Sequence, residues 1–267
     1  MDAPELEGPL SPPSTLTPSK LERFISCPLS FRYAYVDRLP EPPSVHQVRG
    51  TVVHRALELL YAAAPKDRTP AAAREALVAA LAEHDASTDA AALGLVGEAR
   101  EAFRRECAAL VEGDFALEEP HAINPVGLEL DLRCRVEGVE LRGILDRLDR
   151  HGEALTVVDY KTGRAPTTER AAGRLGGVSF YALLCEEVLG ERPAEVRLVY
   201  LRDRLVITRT PTDQSTRGTR QRALAVWAAI ERACASGDFR PNPSRLCAWC
   251  AFRDRCPAAG ATAASSA

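Results

Sequence analysis

The chain has 267 residues, of which 46% are hydrophobic and 27% are charged, and its formal net charge at pH 7 is −3. This length and composition suffice for a substantial hydrophobic core and exclude a disordered or collagen-like chain. The charge also excludes the simplest nucleic-acid signature, a strongly basic chain, although a local basic groove remains possible. Only three of the 34 basic residues are lysines (Lys20, Lys66 and Lys161), so the position of each lysine is informative.

The sequence predicts a cytoplasmic protein without a membrane partner. The longest purely apolar run, residues 223–230, is much shorter than the roughly 20 residues of a membrane-spanning helix. The first residues have neither the basic region nor the apolar region of a secretory signal. Because the cytosol keeps thiols reduced, the eight cysteines are expected to be core residues, metal ligands or nucleophiles rather than disulfides.

The predicted elements follow a disordered tail at residues 1–14. A first helix is expected to start at Pro18 with Thr17 as its N-cap, and Pro28 is expected to break or restart it. The later predicted elements are a helix at 47–63, an Ala-rich helical region at 70–113 with a break near 87–89, an antiparallel three-stranded meander over 126–161, a helix at 168–189, strands at 194–201 and 204–210, and a helix at 213–236.

This order of helices, sheet, helix, sheet and helix indicates an α/β fold. We expect a single domain over residues 15–257, with a helical insertion at about 64–120 and a Cys-rich segment at 243–257. Residues 258–267 form a tail of small residues that is expected to be flexible. No Gly-rich phosphate loop of the P-loop or dinucleotide-binding type is present in the sequence.

Two carboxylates and a lysine form the first candidate site. Asp146 and Asp159 are equidistant from a predicted turn centred on Gly152-Glu153, so hairpin pairing would place them opposite each other. Two facing carboxylates repel unless a cation lies between them or one stays protonated. Lys161, two residues after Asp159, would share its face. This combination suits Mg²⁺ or Mn²⁺, whereas the alternative is a strand face carrying solvated charges.

The motifs LDRLD at 145–149 and VDYKTG at 158–163 resemble the RecB-type branch of the PD-(D/E)XK nucleases. The resemblance implies a restriction-endonuclease-like core, a mixed sheet flanked by helices. It also implies metal-dependent DNA cleavage, in which Asp146 and Asp159 bind the metal and Lys161 is the catalytic lysine. The metal would lower the pKa of a bound water, and Lys161 would orient or stabilise the hydroxide.

The resemblance extends to three further positions. The segment RGTVVH at 49–54 is similar to the Gly-x-x-x-His helix start of the family, which implies that His54 is a metal ligand. A histidine hydrogen-bonded within its helix is the alternative. Glu129 stands where related nucleases often carry a glutamate and is an additional catalytic candidate, or else an exposed strand residue. In the family's Gln-x-x-x-Tyr motif, Tyr181 matches as a DNA-binding residue, but Gly177 replaces the glutamine.

Four cysteines form the second candidate site. Cys247, Cys250 and Cys256 have the spacing C-x₂-C-x₅-C, and Cys27 lies far upstream. This spacing indicates a metal site and leaves zinc and an iron–sulfur cluster open. The pattern resembles the iron–sulfur members of the same nuclease group, such as the AddB nuclease domain and CRISPR-associated trimming exonucleases. That resemblance implies a [4Fe–4S] cluster stapling the N- and C-terminal parts, with Zn²⁺ as the alternative. The remaining four cysteines are expected in the core: Cys107, Cys134, Cys185 and Cys234.

Arginines alternate with aromatic residues around the last three cysteines. Arg245 and Arg253, near Trp249 and Phe252, form a mixture that can contact phosphates and stack on bases, and both arginines are DNA-binding candidates. In the alternative interpretation, the aromatic residues only pack around the metal.

The resemblance implies a Mg²⁺- or Mn²⁺-dependent deoxyribonuclease, an exonuclease acting on single-stranded DNA in repair or recombination. Because the chain has no helicase motif, a helicase is a possible partner. Two alternatives stay open. One is a catalytically weak, nuclease-fold DNA-binding or scaffolding subunit of a helicase–nuclease complex, which Gly177 keeps open. The other is a zinc-stapled partner module of a helicase.

Overall fold

The computed structural model describes residues 10–166 and 168–259, and the side chains of 168–176 lie outside this description. The predicted tails at 1–14 and 258–267 fall mostly outside the described residues. Within the described part of the chain, no helix has both the length and the apolar character needed to cross a membrane.

The main elements follow the predicted order. The helices are α1 (Pro18–Ser26), α2 (Pro28–Phe31), α3 (Val45–Ala62), α4 (Pro70–Asp85), α5 (Thr88–Leu93), α6 (Gly97–Asp114), α7 (Thr168–Leu189) and α8 (Asp213–Ser236). The strands are β1 (Pro125–Val136), β2 (Val139–His151), β3 (Ala154–Lys161), β4 (Glu195–Tyr200) and β5 (Leu205–Arg209). Two short 3₁₀-helices, Arg245–Trp249 and Arg253–Arg255, lie in the Cys-rich segment.

Capping side chains fix several helix starts. The Thr17 hydroxyl accepts a hydrogen bond from the Lys20 N–H at 3.2 Å, as predicted for an N-cap followed by proline. Ser44 and Gln47 form a reciprocal capping box at the start of α3. The predicted helical region at 70–113 is divided into three helices because Ser87 caps a separate short helix, α5.

Within the described residues, the five strands form one mixed sheet with the order β1-β2-β3-β4-β5. Strand β3 pairs antiparallel with β2 and parallel with β4, and β4 pairs antiparallel with β5. A parallel pair needs a long crossover, and α7 provides it between β3 and β4. The predicted fold class, a mixed sheet flanked by helices, is confirmed.

The chain divides into two compact units. The first, called here the cysteine unit, comprises the residues up to Pro42, Cys134–Arg142 and the residues from Arg217 onward. The second, called the core unit, comprises Pro43–Arg133 and Gly143–Thr216.

The hydrophobic core of the core unit positions α3 beside the sheet. On α3, Val53, Leu57 and Leu60 are buried in one cluster with Val158 of β3 and Val199 of β4. Each such side chain contributes about 1.5–3 kcal/mol when fully buried. This packing holds the helix that carries His54 against the strand that carries Asp159.

Candidate active site

The hairpin between β2 and β3 brings the two motif aspartates together. Its register pairs Arg147 with Val158, and the next pair of positions is Asp146 and Asp159. The backbone N–H of Tyr160 donates a hydrogen bond to Asp146 Oδ2 at 2.7 Å. The Asp146 carboxylate is therefore held by the main chain of the neighbouring strand.

Lys161 lies beside Asp159, as the two-residue spacing predicts. Its Nζ is 2.5 Å from Asp159 Oδ2, and the lysine side chain is 43% exposed while that of Asp159 is 6% exposed. Burial raises the pKa of Asp159, the Lys161 ammonium opposes that rise, and the charge of Asp146 adds to it. Burial alone would lower the pKa of Lys161, but Asp159 and Asp146 outweigh it and raise that pKa. Lys161 is therefore a cation at neutral pH, suited to stabilising negative charge rather than to accepting a proton.

His54 reaches the same carboxylates from α3. Its Nδ1 lies 3.3 Å from Asp146 Oδ1, and its ring meets the Tyr160 ring edge-on with centroids 6.2 Å apart. Burial lowers the pKa of His54, but the hydrogen bond and charge of Asp146, followed by the charges of Asp159 and Glu129, raise it overall. The imidazole therefore pairs with a carboxylate in the metal-free protein, and it would lose its proton on binding a metal.

Glu129 completes a compact group with His54 and Asp146. One ligand atom from each of these three residues lies within 4.8 Å of the other two. Burial and the charge of Asp146 raise the pKa of Glu129. The backbone of Glu129 has a φ of +44°, a left-handed conformation that is uncommon for a residue other than glycine. Such strained positions cluster at functional sites, where the surrounding structure maintains them.

These groups can hold a divalent cation. The predicted metal set was His54, Asp146 and Asp159. The compact set in the structure contains Glu129 with His54 and Asp146, while Asp159 is paired with Lys161. The raised pKa values of Asp159 and Glu129 reflect buried negative charge that a cation would neutralise. Carboxylate oxygens with one imidazole suit Mg²⁺ or Mn²⁺.

A sequence model of a protein family identifies the family to which the chain belongs. The model described as the PD-(D/E)XK nuclease superfamily matches residues 15–257. The chain belongs to the PD-(D/E)XK nuclease superfamily. No curated protein is significantly similar to it in sequence.

One solved structure shares the fold of this chain at low sequence identity, and a second aligns with it more weakly. A "putative exonuclease" from Eubacterium rectale is similar with a TM-score of 0.55 and 11% identity, over 89% of this chain and 87% of that chain. The protein SSO0001 aligns with a TM-score of 0.40 and 16% identity, over 92% of this chain and 86% of that one. The likeness to the Eubacterium rectale protein shows the fold alone.

A buried arginine lies next to the candidate aspartates of this PD-(D/E)XK nuclease, and sequence reasoning missed it. The Arg147 side chain is fully buried, with its Nε 2.9 Å from Asp149 Oδ1 and its Nη2 2.8 Å from Glu118 Oε1. Its Nη1 donates a hydrogen bond to the Tyr160 hydroxyl. Arg147 directly follows Asp146 in the chain, and it is bonded to Tyr160, which lies between Asp159 and Lys161. The two motif segments are therefore linked through this arginine.

The contacts of Arg147 extend to two further buried side chains. The Arg147 guanidinium lies over the Tyr61 ring, 4.2 Å from its centroid. The Tyr61 hydroxyl donates to Asp114 Oδ2 at 2.8 Å. Burial and the charge of Glu118 raise the pKa of Asp114 to about 7. We call this group of side chains the arginine cluster: Arg147, Asp149, Glu118, Tyr160, Tyr61 and Asp114.

The predicted DNA-binding tyrosine lies near the start of the aspartate motif. A Cβ atom added at Gly143 would lie 3.2 Å from the Tyr181 ring and 2.6 Å from Leu184. Gly143 therefore allows α7, which carries Tyr181, to approach β2 closely. Gly177, one turn earlier on α7, offers no side chain where the related motif has glutamine.

The four predicted ligand cysteines all belong to the cysteine unit of the nuclease, and each is a half-buried free thiol. Cys27 Sγ accepts a backbone hydrogen bond from Asn242 at 3.5 Å. The other cysteines differ: burial raises the pKa of Cys107 and Cys185 to about 12 each and also raises that of Cys234. Those three match the predicted core role, whereas Cys134 is only half-buried.

The segment after Cys27 also contacts residues that lie between the C-terminal cysteines. The Tyr33 hydroxyl donates to the Arg255 carbonyl at 3.1 Å, and the Tyr33 ring packs against Phe252 with centroids 5.4 Å apart. The Ser244 N–H donates to Cys247 Sγ at 3.3 Å. Among the described residues, no three of the four sulfurs lie within 4.8 Å of one another.

The aromatic residues near these cysteines differ in exposure. Phe252 is buried, in agreement with the packing interpretation, whereas Trp249 is 87% exposed. Arg245 and Arg253 are exposed in the same segment.

Proposed function

We propose that this chain is a Mg²⁺- or Mn²⁺-dependent deoxyribonuclease that acts as an exonuclease on single-stranded DNA in repair or recombination. The observation that carries the proposal is the convergence of Asp146, Asp159 and Lys161 with His54 and Glu129 in the core unit of a PD-(D/E)XK nuclease. Several carboxylates held beside one cationic lysine are the groups that metal-dependent phosphodiester hydrolysis requires.

The site residues have distinct roles in this proposal. His54, Glu129, Asp146 and Asp159 would hold the cation, which would lower the pKa of the attacking water and neutralise charge on the phosphate. The Tyr160 N–H fixes Asp146 in position. Asp159 holds the Lys161 ammonium, which stabilises the negative charge that develops on the phosphate oxygens.

Cleavage of end-labelled single-stranded DNA in Mg²⁺, Mn²⁺ or EDTA tests the proposal. We expect metal-dependent shortening of the strand, and we expect Lys161→Ala to reduce it by at least about 100-fold. Lys66→Ala is the matched control, because Lys66 lies in a separate, short 3₁₀-helix, Pro65–Asp67.

Wild-type protein that is inert with every metal and strand end would refute the enzyme proposal. Equal cleavage by wild type and Lys161→Ala would refute the site assignment. Strands labelled at either end, and a circular strand, distinguish exonuclease from endonuclease action.

For the cysteine unit we propose a [4Fe–4S] cluster bound by Cys27, Cys247, Cys250 and Cys256. The support for the cluster is the sequence pattern, an isolated upstream cysteine followed by C-x₂-C-x₅-C, which resembles the iron–sulfur members of this nuclease group. The N–H donors to Cys27 and Cys247 are contacts that also support cluster thiolates.

Metal analysis and absorption spectra of anaerobically purified protein test the cluster. We expect about four irons per chain and a broad visible absorption that Cys27→Ser removes and Cys134→Ser retains. Stoichiometric zinc without iron would instead support the zinc-stapled module.

A nuclease-fold scaffolding subunit is the second candidate, and Gly177 is the observation that favours it. Without the glutamine of the related motif, the site has one polar group fewer for holding a strand at the metal. Binding of single-stranded DNA without cleavage in any metal, together with co-purification of a helicase, would support this candidate. Restoration of cleavage by Gly177→Gln would show that the metal site itself is competent.

A further inference from the structure

We propose that Trp249 is a stacking platform for a base of single-stranded DNA, flanked by arginines that contact the phosphates. The inference deepens the proposed function and rests on it for the choice of ligand. It concerns a surface of the cysteine unit alone.

Trp249 is exposed in a chain that buries most of its aromatic residues. Its side chain is 87% exposed, and that of Leu246, three residues earlier in the same 3₁₀-helix, is 68% exposed. Residues three apart in a 3₁₀-helix lie on the same side. Trp227, the other tryptophan, is half-buried and donates from its Nε1 to Glu231 at 2.9 Å.

The backbone that carries Trp249 is held at its start. Ser244 caps this 3₁₀-helix, since its hydroxyl accepts from the Leu246 N–H at 3.2 Å, and its own N–H donates to Cys247 Sγ. The helix ends at Trp249, and the N–H of the next residue, Cys250, donates to the carbonyl of Cys247. Trp249 therefore lies between two ligand cysteines on a fixed backbone, which lowers the entropy cost of stacking a base on it.

Phe252 already fills the place of an aromatic packing residue in this segment. It is 4% exposed and packs against Tyr33. Trp249 has no ring contact or hydrogen bond within the described chain, so packing around the cysteines does not explain it.

The charge around Trp249 favours an anionic ligand. Arg245, Arg253 and Arg255 are exposed and form no ion pair within the described residues, and the only acidic residue in 243–257 is Asp254. Elsewhere in the cysteine unit, exposed Arg240 pairs with Asp238 at 3.1 Å. A local excess of positive charge in a chain of net charge −3 fits a ligand with both an aromatic face and phosphates. Single-stranded DNA presents both.

Binding of a labelled oligothymidylate to the full-length protein as purified, without divalent cation, tests this surface. Stacking of one base predicts that Trp249→Ala weakens binding about 5- to 150-fold, as loss of base–aromatic stacking generally does. Trp249→Phe should restore much of the affinity, and Trp227→Ala is the matched control expected to bind like wild type. Arg253→Ala should reduce the salt dependence of the dissociation constant by about 0.7 in the log–log slope, whereas Arg240→Ala should not.

Photocrosslinking keeps the test valid if a variant misfolds. An oligonucleotide containing 5-iododeoxyuridine should crosslink to Trp249 of the unmodified protein, as identified by mass spectrometry of its peptides. Unchanged affinity in Trp249→Ala, or crosslinks confined to other residues, would overturn the inference. If the wild type cleaves DNA and either of these two outcomes is obtained, the nuclease proposal stands without the Trp249 platform. If no cleavage occurs but Trp249 crosslinks, the surface stands and the catalytic proposal fails.

Discussion

Asp146 receives a hydrogen bond from the main chain of Tyr160, with the backbone nitrogen 2.7 Å from Asp146 Oδ2. Tyr160 stands between Asp159 and Lys161 in the chain, and its hydroxyl accepts a hydrogen bond from buried Arg147. One residue thus links the two motif segments through its backbone and the arginine cluster through its side chain. The positions of Asp146, Asp159 and Lys161 are therefore coupled to packing inside the core unit.

Asp146→Asn separates the structural role of this hydrogen bond from the charge of the carboxylate. The amide oxygen can still accept from the Tyr160 N–H, and the repulsion with Asp159 is removed. We expect a melting temperature in EDTA close to that of wild type, measured by circular dichroism, because the lost repulsion offsets the lost ion pair between His54 and Asp146. We also expect Mn²⁺ binding and DNA cleavage to fall by at least about 100-fold. A large loss of melting temperature would contradict the structural part, and retained cleavage would contradict the catalytic part.

Arg147→Leu should destabilise the protein strongly. The substitution leaves Asp149 and Glu118 without their cationic partner, and breaking a buried ion pair from one side costs about 3–5 kcal/mol. Urea unfolding followed by fluorescence measures the change. Arg105→Leu is the matched control, because its ion pair with Glu98 is exposed and worth about 0–1 kcal/mol. Equal effects of the two substitutions would show that the arginine cluster adds no stability.

The hairpin explains why so much of the site could be predicted from sequence. Pairing about a short turn is a local relation, so the approach of Asp146 to the segment of Asp159 and Lys161 follows from counting residues. The bounds of α7 and α8 were predicted for a similar reason, since periodicity and turn residues are local signals.

The unpredicted features depend on the backbone or on distant contacts. The resemblance predicts Glu129 as a candidate, but no local pattern at this non-glycine residue predicts its φ of +44°. The partners of Arg147 and Tyr61 include Glu118 and Asp114, which are 29 and 53 residues away in the chain respectively. A charged residue in a strand motif gives no sign that it will be buried, because its burial depends on those distant partners. The arginine cluster therefore became visible only in the folded molecule.

Asp114 should make the protein less stable as the pH rises through neutrality. Burial and Glu118 raise the pKa of Asp114 in the folded protein to about 7, whereas an unfolded aspartate titrates near pH 3.9. Between these values the folded state binds more protons than the unfolded state, so the free energy of unfolding falls as pH rises.

Asp114→Asn removes this titration and keeps an acceptor for the Tyr61 hydroxyl. Between pH 5 and pH 8 the wild type should lose about 2–3 kcal/mol of its free energy of unfolding through this group. The variant should not show this loss. Denaturant unfolding of both proteins at several pH values provides the measurement. Parallel pH profiles for the two proteins would show that Asp114 does not titrate in this range.

Two glycine substitutions test how closely the elements of each unit are packed. At Gly113 on α6, an added Cβ would lie 2.6 Å from the Leu201 carbonyl oxygen, a backbone atom that cannot move aside. Gly113→Ala should therefore cost about 1–3 kcal/mol, in the range typical of overpacking. At Gly218 on α8, an added Cβ meets no atom within 4 Å. Because alanine has a higher helix propensity than glycine, Gly218→Ala should stabilise the protein by about 0.5–1 kcal/mol. Thermal unfolding of both variants provides the comparison. A neutral Gly113→Ala would mean that α6 can shift away from Leu201, and with it Asp114 and the arginine cluster next to the active site.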